Sequence, residues 1–331
     1  MKKRYQEIDM LRGIAIVFMI LIHTSYYFIA DKTAHFLWNW SQFAVPVFIF
    51  CSSYLFFQKY RDTDISIVHY LKKRVVRLLI PYYIFLLFFL PVAFVLSPQK
   101  ITVRYIIQSI FLIGGVDINW LVLLFLFFTL FLPFINSIFR KKKVLFIFYT
   151  VVSLVSSILF VLYSFPFSYK WFMWLPWSVI VLFSLFFVLY EKRKLFLPVS
   201  FIILFVLFVL TYQIERVSHH HTGFFQNKYP PNIYFLLYGM CSIIALYFLA
   251  RIIILNRWLT SVVYFFSRYS YSLYFTHYTV LIIGAAFFHT LVFNWISFFL
   301  AVLSMTVIVQ FANNFISKIL FTLKTLSSSR K

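Results

Sequence analysis

The chain has 331 residues, 63% of them hydrophobic and only 11% charged, less than half the ~25% of a soluble globular domain. That excludes a soluble fold and a disordered chain, and two cysteines exclude a disulfide scaffold. The 30 Lys and Arg against 8 Asp and Glu, a net charge of +22, would point to nucleic acid in a soluble protein. Here their position along the chain decides what they mean.

A membrane-spanning helix needs about 20 mostly apolar residues. In chain order such runs lie at 8–30, 41–58, 75–97, 118–139, 144–164, 173–190, 195–213, 233–250, 270–290 and 295–317. The eighth can run on towards Leu255, and 101–114 is a candidate interfacial or re-entrant helix. The first run follows Lys2-Lys3-Arg4 and resembles a secretory signal. It is too long for one, has no small-x-small cleavage site after it, and is interrupted by Asp9 and Arg12, so an uncleaved span is expected. Cys51 and Cys241 fall within spans and are expected to be free, buried thiols. The breaks between runs are short, so the expectation is an all-α polytopic membrane protein of about ten transmembrane helices, one domain over 1–331.

With the N-terminus in the cytoplasm, 23 basic residues fall in cytoplasmic segments. Lys32, Lys100, Arg104, Lys170, Arg216 and Lys228 fall on the other side, and Arg12 lies inside the first span. This alternation is the positive-inside pattern. It predicts an even number of spans with both termini cytoplasmic, in a multi-pass protein of the cell membrane, a bacterial plasma membrane by expectation. No nucleic acid is needed to explain the charge.

Ionisable groups within spans are costly and are candidates for function. The first span carries Asp9, Arg12 and His23. Eleven residues bring Arg12 and His23 onto one helical stripe about 16 Å apart along the axis, and Asp9 is spaced to ion-pair with Arg12. The alternative reading makes Asp9 and Arg12 an interfacial anchor and His23 a simple interhelical hydrogen-bonding group. Arg74 and Arg77, in Lys72-Lys73-Arg74-Val75-Val76-Arg77, share a helix face at the start of the third span. Their planar forks suit a phosphate or pyrophosphate, and an anionic-lipid contact explains them equally.

His277 in the ninth span is either a second site residue or a satisfied core histidine. Trp120 reads as an interfacial anchor, and His219-His220-His221 as a solvated loop with poor geometry for a metal, so no metal site is expected. The stiff Lys228-Tyr229-Pro230-Pro231-Asn232 is a candidate lining for an outer entrance. Prolines at span ends, among them Pro46, Pro81, Pro91, Pro133 and Pro176, fit kinks around a cavity. No Walker loop, dinucleotide turn or nucleophile elbow is present.

These residues also carry a resemblance. Asp9-Met10-Leu11-Arg12-Gly13-Ile14-Ala15 with His23 resembles the Arg-x10-His signature of the integral membrane acyltransferase 3 family. Phe43 to Leu55 is similar to its VPxFFxxSGxL segment, with Ser53 in place of the glycine. Arg74-x-x-Arg77, followed by Leu78 and Pro81, resembles its Arg-x-x-Arg motif. Asn119-Trp120-Leu121 is similar to its Trp-Phe-Leu segment, with Val122 and Leu123 after it. Tyr271 to His277 resembles its YSLYLxH segment. The resemblance runs over about residues 5–320.

It implies an enzyme that moves an acyl group, commonly acetyl from acetyl-CoA, to a hydroxyl or amino group of an extracytoplasmic glycan, lipid or antibiotic. It also implies His23 as base, Arg12 (with Asp9) orienting the donor or stabilising the site, and Arg74 and Arg77 holding the donor's phosphates. His277, Trp120 and Tyr274 are further candidates. Acyl-CoA is expected as a donor substrate with no tightly bound cofactor. The expected partners are a glycan or lipid-linked acceptor and membrane lipids, and O-acetylation in polysaccharide modification is the expected role. Two rivals are a non-catalytic exporter or flippase for a polysaccharide or lipid-linked sugar, and a proton-coupled transporter using Asp9 and His23. Acceptor, acyl group, direct transfer against an acyl-enzyme relay, and oligomeric state are not readable from the residues.

Overall fold

The computed structural model describes residues 5–162, 169–218, 221–288 and 294–328. A chain this apolar must satisfy its backbone internally, and helices do so within each segment. The helices are α1 (Gln6–Ser25), α2 (Lys32–Trp40), α3 (Ala44–Tyr60), α4 (Ile67–Leu96), α5 (Val103–Ile110), α6 (Asn119–Lys141), α7 (Lys143–Leu162), α8 (Trp174–Tyr190), α9 (Phe196–Val217), α10 (Ile233–Ile252), α11 (Arg257–Phe288) and α12 (Trp295–Ser328). No strand occurs among the described residues. The protein is an all-α, multi-pass membrane protein.

Nine of the described helical segments are long and apolar enough to cross a membrane. The expected span at 270–290 is not one of the nine. It is the C-terminal part of α11, where Ser272, Thr276 and His277 dilute the apolar run, and its last residues lie outside the described ones. The expected interfacial helix is the short α5, tied to α4 where Tyr82 Oη donates to the Ser109 carbonyl at 2.6 Å and Tyr83 Oη to that of Ile110 at 3.2 Å.

Two starts differ from expectation. The third span begins at Ile67, not 75, so Arg74 and Arg77 lie inside α4 and not at a helix N-terminus. The cause is local: Tyr70, Leu71, Val75 and Leu78 recur at helical spacing ahead of the apolar run and extend the helix backwards. Likewise α11 begins at Arg257, which carries Ser267 and Arg268 into the helix. α4 continues through Pro81 and Pro91, and Tyr271 Oη from α11 donates to the Leu78 carbonyl at 2.8 Å, beside the break that Pro81 makes in the backbone ladder.

α1, α3, α8 and α10 form the buried centre, with α9 and α12 on the outside. α1 packs most extensively on α11 and then on α3, α12 and α10. Small residues set two of these approaches. A Cβ on Gly13 would stand 3.0 Å from the Val263 carbonyl oxygen of α11, and one on Gly239 of α10 would stand 2.7 Å from Pro46 of α3. Both thiols are free and buried, as expected.

Candidate active site

α1 and α11 run side by side in the same direction, as contacts from Asp9 with Ser267 to His23 with His277 show. Near the start of α1 the Ser267 hydroxyl donates to Asp9 Oδ1 at 2.8 Å. Among the described residues the Asp9–Arg12 ion pair suggested by spacing does not occur. Asp9 turns to Ser267 of α11, and Arg12 faces a cavity that Ser267 also lines. About ten residues further on, His23 Nδ1 lies 2.9 Å from His277 Nε2, with the rings stacked at a centroid distance of 5.0 Å.

The hydrogen positions in this pair follow from its neighbours. His277 Nδ1 lies 3.0 Å from the Leu273 carbonyl oxygen, which can only accept. In a pair of neutral rings His277 therefore carries its hydrogen on Nδ1 and a lone pair on Nε2. His23 must then donate from Nδ1, leaving the lone pair of its own Nε2 free. His277 is fully buried and His23 half-buried, so the inner ring orients the outer one.

The cavity has a volume of about 460 Å³. Arg12, Lys59, Lys73, Arg74, Arg77 and Arg268 line it together with His69, and no acidic residue does. Arg74 is aimed by Ser52, whose hydroxyl accepts from its guanidinium at 2.9 Å, while the buried Nε of Arg74 has no hydrogen-bond partner among the described residues. The far wall is Leu121 and Tyr274. The Tyr274 hydroxyl donates to the Ile118 carbonyl at 2.9 Å, and its ring stands 5.8 Å from that of His277. A cationic funnel thus ends one helical turn from the histidine pair.

Trp120 is buried, not an interfacial anchor. Its ring packs edge-on to Tyr229 at 4.9 Å and on Trp177 at 6.5 Å. Beside it Lys228, Gln42 and Tyr229 close the end of the bundle opposite the funnel. His219 and His220 lie outside the described residues. No group of metal-binding side chains occurs among the described ones.

The geometry brings together Arg12, Arg74, Arg77 and Tyr274 around one cavity, and His23 with His277 beside it. Asp9 and Trp120 lie off it. Sequence reasoning missed Ser52 and Arg268. Ser52 sits in the apolar motif segment with only its hydroxyl as a signal, and Arg268 was counted as a topological charge.

Compared with known protein families, residues 5–312 match the acyltransferase domain of the acyltransferase 3 family. The chain belongs to that family. It is a membrane enzyme that transfers acyl groups. No match was found among curated proteins or among solved structures.

Proposed function

We propose that this acyltransferase takes its acyl group, acetyl most simply, from acyl-CoA on the cytoplasmic side and delivers it to a hydroxyl of an extracytoplasmic glycan or lipid-linked sugar. The observation that carries the reading is the acid-free funnel of six cations that ends one turn from the histidine pair. A CoA thioester has the matching shape: polyanionic at one end, with its reactive carbonyl at the tip of a long uncharged arm. In this arrangement Arg74 and Arg77 grip phosphates through their planar forks, and Arg12 and Arg268 complement the remaining charge. Both termini lie in the cytoplasm, so the funnel opens there and His23 lies deeper.

The acceptor hydroxyl attacks the thioester carbonyl carbon as His23 Nε2 takes its proton. The C–O bond forms and the carbonyl electrons move onto oxygen. His23, now cationic, is steadied by its Nδ1 hydrogen bond to His277. Collapse of the tetrahedral species breaks the C–S bond, and the proton passes from His23 to the departing sulfur. General-base help of this kind is worth ~10²–10⁴-fold.

The test is direct. Purified protein in nanodiscs should bind CoA and release it from acetyl-CoA when a sugar hydroxyl is supplied. The Arg74→Gln/Arg77→Gln variant should lose CoA binding, and glycans of a strain lacking the protein should lose acetyl groups by mass analysis. CoA binding that survives in the double variant, or unchanged glycans, would overturn the reading.

A further inference from the structure

The loop between α9 and α10 carries a lysine into the end of the bundle opposite the funnel. Lys228 is only 4% exposed. Its Nζ donates to Gln42 Oε1 at 3.0 Å, and Gln42, fully buried, is held in turn by its Nε2 donating to the Trp38 carbonyl at 2.8 Å. The ammonium lies 5.4 Å from the ring centroid of Trp120 and 5.2 Å from that of Tyr229. No carboxylate pairs with it among the described residues. Trp120 adjoins Leu121 of the cavity wall, and the Ile118 carbonyl two residues before it accepts from Tyr274, whose ring stands 5.8 Å from that of His277.

An ammonium buried with one amide and two aromatic faces is an expensive way to fill space, since a methionine would pack there without the desolvation cost. Burial pulls the Lys228 pKa down to about 7. A charge so poorly compensated gains most from an anion that forms beside it. Acyl transfer makes such an anion at the carbonyl oxygen, next to the base.

We propose that Lys228 is the oxyanion donor of the transfer, its Nζ hydrogen-bonding the thioester carbonyl oxygen as that oxygen becomes negative. This rests on the acyl-CoA reading above. As the acceptor oxygen bonds to the carbonyl carbon, the displaced electron pair sits on the carbonyl oxygen facing Lys228, and the acceptor's proton sits on His23. The oxyanion then lies between two cations and compensates both. When the C–S bond breaks, the oxygen regains its double bond and the proton goes to sulfur. Lys228 keeps all its hydrogens throughout. Two of its three N–H groups are left over from the Gln42 bond, so it can serve the oxygen without releasing its anchor.

The test measures CoA release from acetyl-CoA by protein in nanodiscs, with p-nitrophenyl glycosides as acceptors. Lys228→Met should lower kcat by ~10²–10³-fold, with the Kd for CoA, the acceptor KM and the thermal midpoint unchanged. Lys228→Arg should retain more activity than Lys228→Met. Gln42→Leu leaves the lysine but removes the amide that aims it, and should lower kcat about tenfold; it tests the role even where Lys228→Met fails to fold.

A Lys228→Met rate within about twofold of wild type, or equal rates in the Met and Arg variants, would overturn the proposal. So would a loss confined to the acceptor KM, which would make Lys228 a binder of an anionic group on the acceptor. If wild-type protein bound no CoA and released none, the acyl-CoA reading would fall and this role with it. Wild-type turnover with an unaffected Lys228→Met enzyme would sink the lysine role alone.

Discussion

Gly13 of α1 faces the carbonyl of Val263 on α11 so closely that a Cβ there would stand 3.0 Å from the oxygen. This approach at one end of the helix pair lets His23 and His277 meet at the other.

Enlarging Gly13 should therefore act at a distance. Gly13→Val forces the helices apart and should cost ~1–3 kcal/mol of stability, read as a lower thermal midpoint in detergent. Acyl-transfer rate should fall further than stability alone explains. Gly13→Ala, which needs only a few tenths of an ångström of give, should be milder in both. Equal effects of Ala and Val would mean that the contact does not set the helix spacing.

The histidine pair gives a graded prediction. His23→Ala should lose ~10²–10⁴-fold in kcat. His277→Leu leaves His23 in place but removes the acceptor for its Nδ1 hydrogen, together with the ring stacked on it. A hydrogen bond to a charged group is worth ~1.5–3 kcal/mol, so its loss should cost about ten- to a hundredfold in rate. His277→Gln, which still offers an amide oxygen, should recover part of that. Full activity in His277→Leu would show the inner histidine to be a packing residue.

Ser52 should matter for the donor and not for the fold. Its hydroxyl holds the Arg74 guanidinium at 2.9 Å. Ser52→Ala frees one arginine and should weaken CoA binding by about two- to tenfold, the worth of one ordinary hydrogen bond. The thermal midpoint should stay put. Calorimetric titration with CoA, repeated at raised salt, checks both the loss and its electrostatic character.

Glu191 is a structural clasp near the basic end. Tyr54 Oη at 2.9 Å, Gln58 Nε2 at 2.9 Å and Tyr247 Oη at 3.0 Å all donate to its carboxylate. Glu191→Ala strands these donors and should destabilise the protein by ~2–3 kcal/mol, while Glu191→Gln, keeping one acceptor oxygen, should cost less. Burial raises the pKa of Glu191, against the lowering from the Tyr54 and Tyr247 hydroxyls and from Lys192, while Glu7 adds to the rise. A carboxyl whose native pKa exceeds its unfolded value binds more protons when folded, so stability falls as pH rises through that interval. That slope should flatten in Glu191→Gln.

Much of this architecture was legible because the bilayer imposes a simple rule: long apolar runs become helices, and basic breaks mark one side. Arg74 and Arg77 were legible as a pair, since three residues on a helix share a face. Their position in α4 was not, because Tyr70 and Leu71 prolong the helix through charged surroundings. The Asp9–Arg12 pair failed for a related reason: spacing along α1 knows nothing of Ser267, some 250 residues away. His23 and His277 were each noticed, but a 2.9 Å contact between first and eleventh helices has no local signature. Lys228 was noticed as part of a stiff entrance lining, but its burial against Gln42, Trp120 and Tyr229 has no local signature, for a basic residue in a polar loop reads as solvated until the fold buries it.

The Lys228 loop is fastened from several sides. Asn232 Nδ2 donates to Glu215 at 2.8 Å and to Asn227 at 2.6 Å, Asn227 Nδ2 bonds the carbonyls of His221 and Gly223, and the Phe224 amide donates to Asn39 at 2.7 Å. Phe224 lies flat on Tyr238 at 3.8 Å, and Tyr238 bonds the Trp40 carbonyl. The inheritable unit is therefore larger than the loop. A graft of residues 221–232 between relatives would arrive without its fastenings unless Asn39, Gln42 and Glu215 travelled with it, so exchanges of this loop should keep the fold and the rate only as a set drawn from α2 and the turn after it, α9 and the loop together, and fail piecemeal.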